Sequence, residues 1–130
     1  MGVDLRNSEG AQQRLSGSGW SFYLNLAERY GWTPEGTSPP RGVAAESWDR
    51  SYDACAGQLV SDADALSFAN ALSRALNDPN RAESERVVAR KISDAISAAM
   101  GRVIRIDPPG DVSTLENLIA FCSAGSFFIE

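Results

Sequence analysis

The sequence predicts a single α+β domain, predominantly helical, over residues 1–130, with about four helices (18–30, 61–77, 82–100 and 113–124) and a small sheet near the termini. Two patterns predict it. Apolar residues recur at three- and four-residue intervals in four separate stretches, the mark of helices that bury one face. The runs VDLR at the start and SFFIE at the end carry strand-like residues instead, and their pairing would tie both termini down. At 130 residues, 43% hydrophobic and 22% charged, the chain can bury a core and is not of disordered composition. No internal repeat or low-complexity segment divides it.

After the opening strand, residues 7–19 are rich in Ser, Gly and Gln and read as a loop. The aromatic stretch WSFYLNLAERYGW, Trp20 to Trp32, is a helix by spacing. Trp20, Tyr23, Leu24 and Ala27 make one stripe, with Phe22, Leu26 and Tyr30 beside it, so a wide apolar face docks into a core. Asn25, Glu28 and Arg29 face water. Ser18 is placed to cap the first turn, and Gly31 to end the helix in a left-handed conformation that lacks a β-carbon penalty. Trp32 would then fold back onto Leu26 or Ala27, and Thr33-Pro34 blocks continuation. Aromatic groups at this spacing are core rather than a ligand box.

A long irregular tract, TPEGTSPPRGVAAESWDRSYDACAGQ, comes next. Its prolines and glycines forbid long regular elements, yet Trp48 and Tyr52 stand four apart and predict a helical turn over 45–52. A loop this long in a compact domain is usually functional or partly ordered. The second helix has the clearest signature. Ser61 is its N-cap, Asp62 and Asp64 complement the positive end of its dipole, and Ala65, Phe68, Ala69, Leu72 and Leu76 form its buried stripe. Asp78-Pro79 stops it.

The third helix buries Val88, Ile92, Ile96 and Ala99, leaves Glu83, Glu85, Asp94 and its basic residues wet, and ends at Gly101. Val103, Ile104 and Ile106 predict a short strand before the turn DPPGD. Ser113-Thr114-Leu115-Glu116 is an S-x-x-E capping box for a fourth helix with Leu115, Leu118, Ile119 and Cys122 inward and Gly125 at its end. The expected core is Leu24, Ala27, Phe68, Leu72, Ile92, Ile96, Leu118 and Ile119.

Composition narrows the function classes. The chain has no histidine, which removes the commonest general base and zinc ligand and excludes Ser-His-Asp and Cys-His machinery. Cys55 and Cys122 form no CxxC pattern and read as two buried free thiols. A net charge of −5 and a pI near 4.7 argue against nucleic-acid binding. The charge is uneven: Glu46, Asp49, Asp53, Asp62 and Asp64 dominate one region, and Arg81, Arg86, Arg90, Lys91, Arg102 and Arg105 another. Such asymmetry can steer a partner, although solvated helix faces give the same pattern. No apolar run approaches a membrane span, the N-terminus lacks signal-peptide features, and Arg6 breaks the MGxxx[ST] acylation pattern. A cytoplasmic protein without membrane attachment is expected.

No motif marks an enzyme. Asp62 and Asp64 are explained by helix capping. Asp49 and Asp53, four apart, could flank a cation, but neither a DxDxDG loop nor other ligand spacing supports a metal, and none is expected. There is no GxxxxGK[ST] or strand–GxGxxG–helix pattern, so no nucleotide cofactor is expected, and GSGW before the first helix is a weak anion cradle that Ser18 can already satisfy. The irregular tract is the best functional candidate. Trp, Tyr and Arg dominate interface hot spots, and Trp32, Glu46, Trp48, Asp49, Tyr52 and Asp53 are its candidate partner-binding residues. The bland alternative is that Trp48 and Tyr52 plug the core beneath the loop.

The runs LAERYGWTPEGT, YDACAGQLVSDADALSFANALSRAL and LIAFCSAGSFFIE resemble a group of small uncharacterised bacterial proteins with an LA..YGW.P.GT segment, a Y…GQ.V…DA…A.AL helix and an F…G.F.I tail. The matching Gly31, Trp32, Pro34, Gly36, Asp64, Ala65, Gly125 and Phe127 read as caps, turns and core. Proteins of this type loosely resemble toxin-immunity proteins. The resemblance supports the fold more than the function; the negative charge, the missing catalytic groups and the aromatic tract point to a protein-interaction domain, most concretely an immunity-like inhibitor that occludes a basic toxin or effector. The alternatives are a carboxylate-based hydrolase acting through Asp49, Asp53 or Asp62, and a small-molecule module lined by Trp32, Trp48 or Tyr52.

Overall fold

A computed structural model describes residues 2–109 and 111–130. Four strands form one antiparallel sheet in the order β2-β1-β4-β3, with β1 at Gly2–Asn7, β2 at Gln12–Ser16, β3 at Gln58–Val60 and β4 at Phe127–Ile129. Four helices complete an α+β fold: α1 at Gly17–Arg29, α2 at Asp62–Leu76, α3 at Arg81–Met100 and α4 at Ser113–Ser123. None of the helices among the described residues is long and apolar enough to cross a membrane.

The two termini pair as their patterns predict, with Leu5 opposite Ile129 and Arg6 opposite Phe128. The sheet is nevertheless larger than expected. Residues 12–16 are not loop but β2, a hairpin partner of β1 with Val3 opposite Leu15. Asn7 makes the turn, its side-chain oxygen accepting from the amides of Glu9 and Ala11. On one face of the sheet Val3, Leu5, Leu15, Val60, Phe127 and Ile129 are buried beneath the helices. The opposite face is held by ion pairs: Arg6 grips Glu130 through two bonds of 2.7 Å, and Arg14 lies 3.6 Å from Asp4.

In α1, Trp20, Phe22, Tyr23, Leu24, Leu26 and Ala27 are buried, as the spacing requires. Its cap is Ser16, not Ser18: the Ser16 hydroxyl accepts from the Gly19 amide at 3.0 Å. The C-terminus is a full Schellman motif, with Gly31 at φ 97°, its amide on the Glu28 carbonyl and the Trp32 amide on that of Ala27. Ser61 caps α2 by accepting from the Asp64 amide. Of the expected core, Ile96 and Ile119 are partly buried and the rest is fully interior.

Three further expectations fail for tertiary reasons. The S-x-x-E box is not formed: Asp111 accepts both the amide and the hydroxyl of Ser113, which holds the Asp111 carboxyl below its usual range. The second half of α3 leaves the core, so Ala99 is exposed. Residues 103–106 join no sheet; Ile104 and Ile106 bond instead to the hydroxyls of Ser97 and Ser93 on α3. Cys122 is buried, which raises its thiol pKa, whereas Cys55 is exposed, and both are free.

Gly125, between α4 and β4, has φ 121° and a backbone that passes close to Asp62, whose Oδ1 accepts the Ser126 amide at 2.7 Å. A β-carbon there would stand 2.8 Å from that oxygen. Gly125→Ala should therefore lower stability by about 1–3 kcal/mol in chemical denaturation, strain and displacement of Asp62 acting together. A change within about 0.5 kcal/mol of the parent would show that the turn tolerates the substitution.

Candidate functional site

The irregular tract between α1 and β3 is organised around one carboxyl group. The Schellman turn drives Trp32 inward, where its ring is 4% exposed and stacks edge-on against Phe68 at 4.9 Å and Tyr52 at 5.2 Å. A buried indole needs an acceptor for its N–H. Asp64, completely buried in the first turn of α2, supplies it: Trp32 Nε1 donates to Asp64 Oδ1 at 2.9 Å. The other oxygen accepts the Tyr52 hydroxyl, which itself accepts the Gly36 amide at 2.9 Å. One side chain thus joins the end of α1, both arms of the tract and the start of α2.

Two more buried polar residues hold the remainder. Thr37 donates its hydroxyl to the Ser51 carbonyl at 2.7 Å and accepts Trp48 Nε1 at 3.0 Å. Gln58 in β3 donates to the carbonyls of Ala54 and Ser51 and accepts the Ala56 amide. Trp20 Nε1 reaches the Tyr52 carbonyl at 2.8 Å, and Ser38 bridges to Leu59 on the edge of the sheet. Arg50 takes a left-handed conformation, φ 62°, with its guanidinium donating to the Glu35 carbonyl. No buried side-chain polar atom among the described residues lacks a partner.

The candidate partner-binding residues therefore divide. Trp32 is core, and Tyr52 is half-buried with its hydroxyl committed inward. Trp48 is half-buried and tied to Thr37. Glu46, Asp49 and Asp53 are exposed, and among the described residues none of the three enters an ion pair. The expected helical turn over 45–52 shrinks to a 3-10 turn at Ala45–Ser47, so Trp48 and Tyr52 share no helix face. Asp62 and Asp64 both serve architecture, through Ser126 and through Trp32 and Tyr52, rather than the dipole alone.

Two surface grooves lie elsewhere: one of about 280 Å³ between α1 and α3, and one of about 770 Å³ between α3 and residues 103–108. Neither is lined by Asp49, Asp53, Asp62, Trp32, Trp48 or Tyr52. No group of three or more acid or thiol side chains placed to hold a metal ion occurs among the described residues. The site residues the sequence reading missed are Thr37 and Gln58. A usable signal did exist: three tryptophans in a small domain require interior acceptors.

Two outcomes test this arrangement. Asp64→Ala strands two buried donors and should lower stability by about 2–5 kcal/mol, against about 1–2 for Tyr52→Phe, as read by denaturant unfolding. Equal effects would mean that Trp32 finds another acceptor. Burial, and next the hydrogen bond to Asp64, push the Tyr52 phenol well above its ordinary value. Burial, with the charges of Glu85 and Asp111, pushes Tyr23 up to about 12. Raised phenol pKa values favour the folded state below the unfolded value of about 10, and this advantage is lost as pH rises through the folded values. Stability should therefore fall between about pH 10 and 12, with phenolate absorbance lagging behind that of a denatured control. Full ionisation of all three tyrosines near pH 10 without unfolding would contradict the buried phenols.

No protein-family model, curated protein or solved structure matches this chain.

Proposed function

We propose that this domain is a protein-interaction module whose acidic, aromatic tract binds and occludes a basic site on a partner, in the manner of an immunity-type inhibitor. The observation that carries the reading is the contrast between the two sides of the tract. Its inner side is fixed by Asp64, Thr37 and Gln58, while its outer side presents Glu46, Asp49 and Asp53, none of them ion-paired among the described residues. Ordering an irregular segment costs roughly 1–2 kcal/mol per residue in backbone entropy. A surface ordered before encounter loses less on binding, so its charges act at full strength on association. Trp48, half-buried among them, supplies the kind of aromatic anchor around which interface hot spots form.

The test uses the tagged chain in its native extract at low and high salt. The expected result is one stoichiometric basic protein, released by salt and lost with the Asp49→Lys/Asp53→Lys double variant, which should melt at the same temperature as the parent. These acids are exposed, so their reversal should leave the core intact while weakening purified-partner binding by about tenfold or more. Unchanged affinity of the double variant in low salt would overturn the proposal, as would the absence of any stoichiometric partner.

A further inference from the structure

After α3 the chain passes through Gly101, φ 67°, and residues 103–107 run back along the helix as a strap. The Ile104 amide donates to Ser97 Oγ at 2.8 Å, and that hydroxyl donates to the Ile104 carbonyl at 2.9 Å. Ser93 treats Ile106 the same way, at 2.8 and 3.2 Å, sharing its proton with the Ala89 carbonyl. The spacing explains the fit: four helical residues rise about 6 Å, close to the roughly 6.6 Å covered by two residues of an extended strand. Two serines on one helix face thus stand in for a neighbouring strand.

This leaves the strap with a second edge. Alternate residues of an extended chain direct their backbone groups to opposite sides. With Ile104 and Ile106 turned to α3, those of Val103, Arg105 and Asp107 point away from it. None of these has a backbone hydrogen-bond partner among the described residues. Val103 is 95% exposed, and Arg102 and Arg105 are exposed on either side of it. The groove of about 770 Å³ lies alongside, its wall carrying Arg86 and Arg90 together with Glu83 and Asp94, and the exposed Arg105 guanidinium donates to Asp107 at 2.9 Å. In a chain of charge −5, residues 81–105 carry Arg81, Arg86, Arg90, Lys91, Arg102 and Arg105 against Glu83, Glu85 and Asp94.

We propose that the strap is a β-addition site, at which an extended acidic peptide segment of a partner protein pairs with the outward backbone of Val103 and Arg105. Main-chain bonds supply the pairing, an apolar residue of the peptide covers Val103, and its carboxylates meet Arg102 and replace Asp107 on Arg105, a solvent-exposed pair that costs little to exchange. A second copy of the chain fits less well. Antiparallel pairing of two straps sets the Arg105 side chains opposite or diagonal to each other, which is unfavourable between like charges. This site is separate from the acidic tract, so its failure would leave that reading untouched.

The experiment is a titration of the full chain with a short peptide of alternating valine and glutamate, followed by NMR and amide exchange. In the free protein the Val103 and Arg105 amides should exchange fast and those of Ile104 and Ile106 slowly. Bound peptide should protect Val103 and Arg105. Affinity should fall about tenfold or more when the peptide's pairing amides are N-methylated, and likewise with Arg105→Glu, which should favour a valine–lysine peptide instead. Val103→Thr, which keeps the backbone donor, should still bind. The proposal is overturned by no saturable binding, by equal binding of the methylated peptide, or by protection of Val103 and Arg105 in a peptide-free dimer, which would assign the edge to a second copy.

Discussion

The contact between Asp64 and its two aromatic donors sets the arrangement of the rest. A carboxyl group with no solvent exposure is costly to bury, and only full use of its oxygens offsets the cost. Trp32 and Tyr52 provide that use, and in return Asp64 gives each a partner that the apolar interior could not. From this point an aromatic chain runs through the core, Trp32 against Phe68, Phe68 against Trp20, Trp20 against Phe127 and Phe127 against Phe121. The tract is thereby linked to α1, α2, α4 and the sheet. A disturbance at Asp64 is felt wherever that chain reaches, because close-packed cores do not absorb displacement locally.

The domain repeatedly uses side chains where others use backbone ladders. Thr37 and Gln58 satisfy carbonyls and an amide in a segment with no strand beside it, and Ser93 and Ser97 do the same for the strap. Such bonds contribute about 1 kcal/mol each, comparable to those of a ladder, but they depend on single residues rather than on a repeating pattern. An irregular tract can therefore be well ordered while remaining sensitive to point substitution at a few interior positions. Its exposed residues can be substituted with little effect on the fold.

This difference also explains what the sequence made legible. The Gly31 stop, the Ser61 cap, the Asp78-Pro79 end of α2 and the pairing of the terminal strands rest on local chemistry, and each forms as its residues require. Strand β2, QQRLS, was hidden because only Leu15 of its residues is fully buried, so no alternation betrays it. The role of Asp64 was legible only in part: its position explained it as a dipole partner, while its acceptors' work depends on Trp32 and Tyr52, distant in sequence. Ser113 and Glu116 have the spacing of a capping box, yet the nearer Asp111 takes the Ser113 amide and hydroxyl first. Val103, Ile104 and Ile106 are strand-forming residue types, but the partner of this segment is a helix, which no strand pattern encodes.

The edges of the fold show how the same chemistry separates protected from available backbone. On β3 the outer edge is covered by Ser38 bonded to Leu59. On β2 the register is decisive: Asp4 bonds to Glu130, just beyond β4, so Arg14, directly opposite Asp4, turns its backbone outward. There the charge of Arg14 guards the edge against another copy of itself, a common means of limiting edge-to-edge pairing. Arg105 gives the strap the same protection, but with a difference. Both arginines are ion-paired, Arg14 with Asp4 at 3.6 Å and Arg105 with Asp107 at 2.9 Å, but the strap continues a segment, residues 81–105, that carries six bases against three acids. Repulsion of its own kind and attraction of an acidic strand are then two consequences of the same arginine.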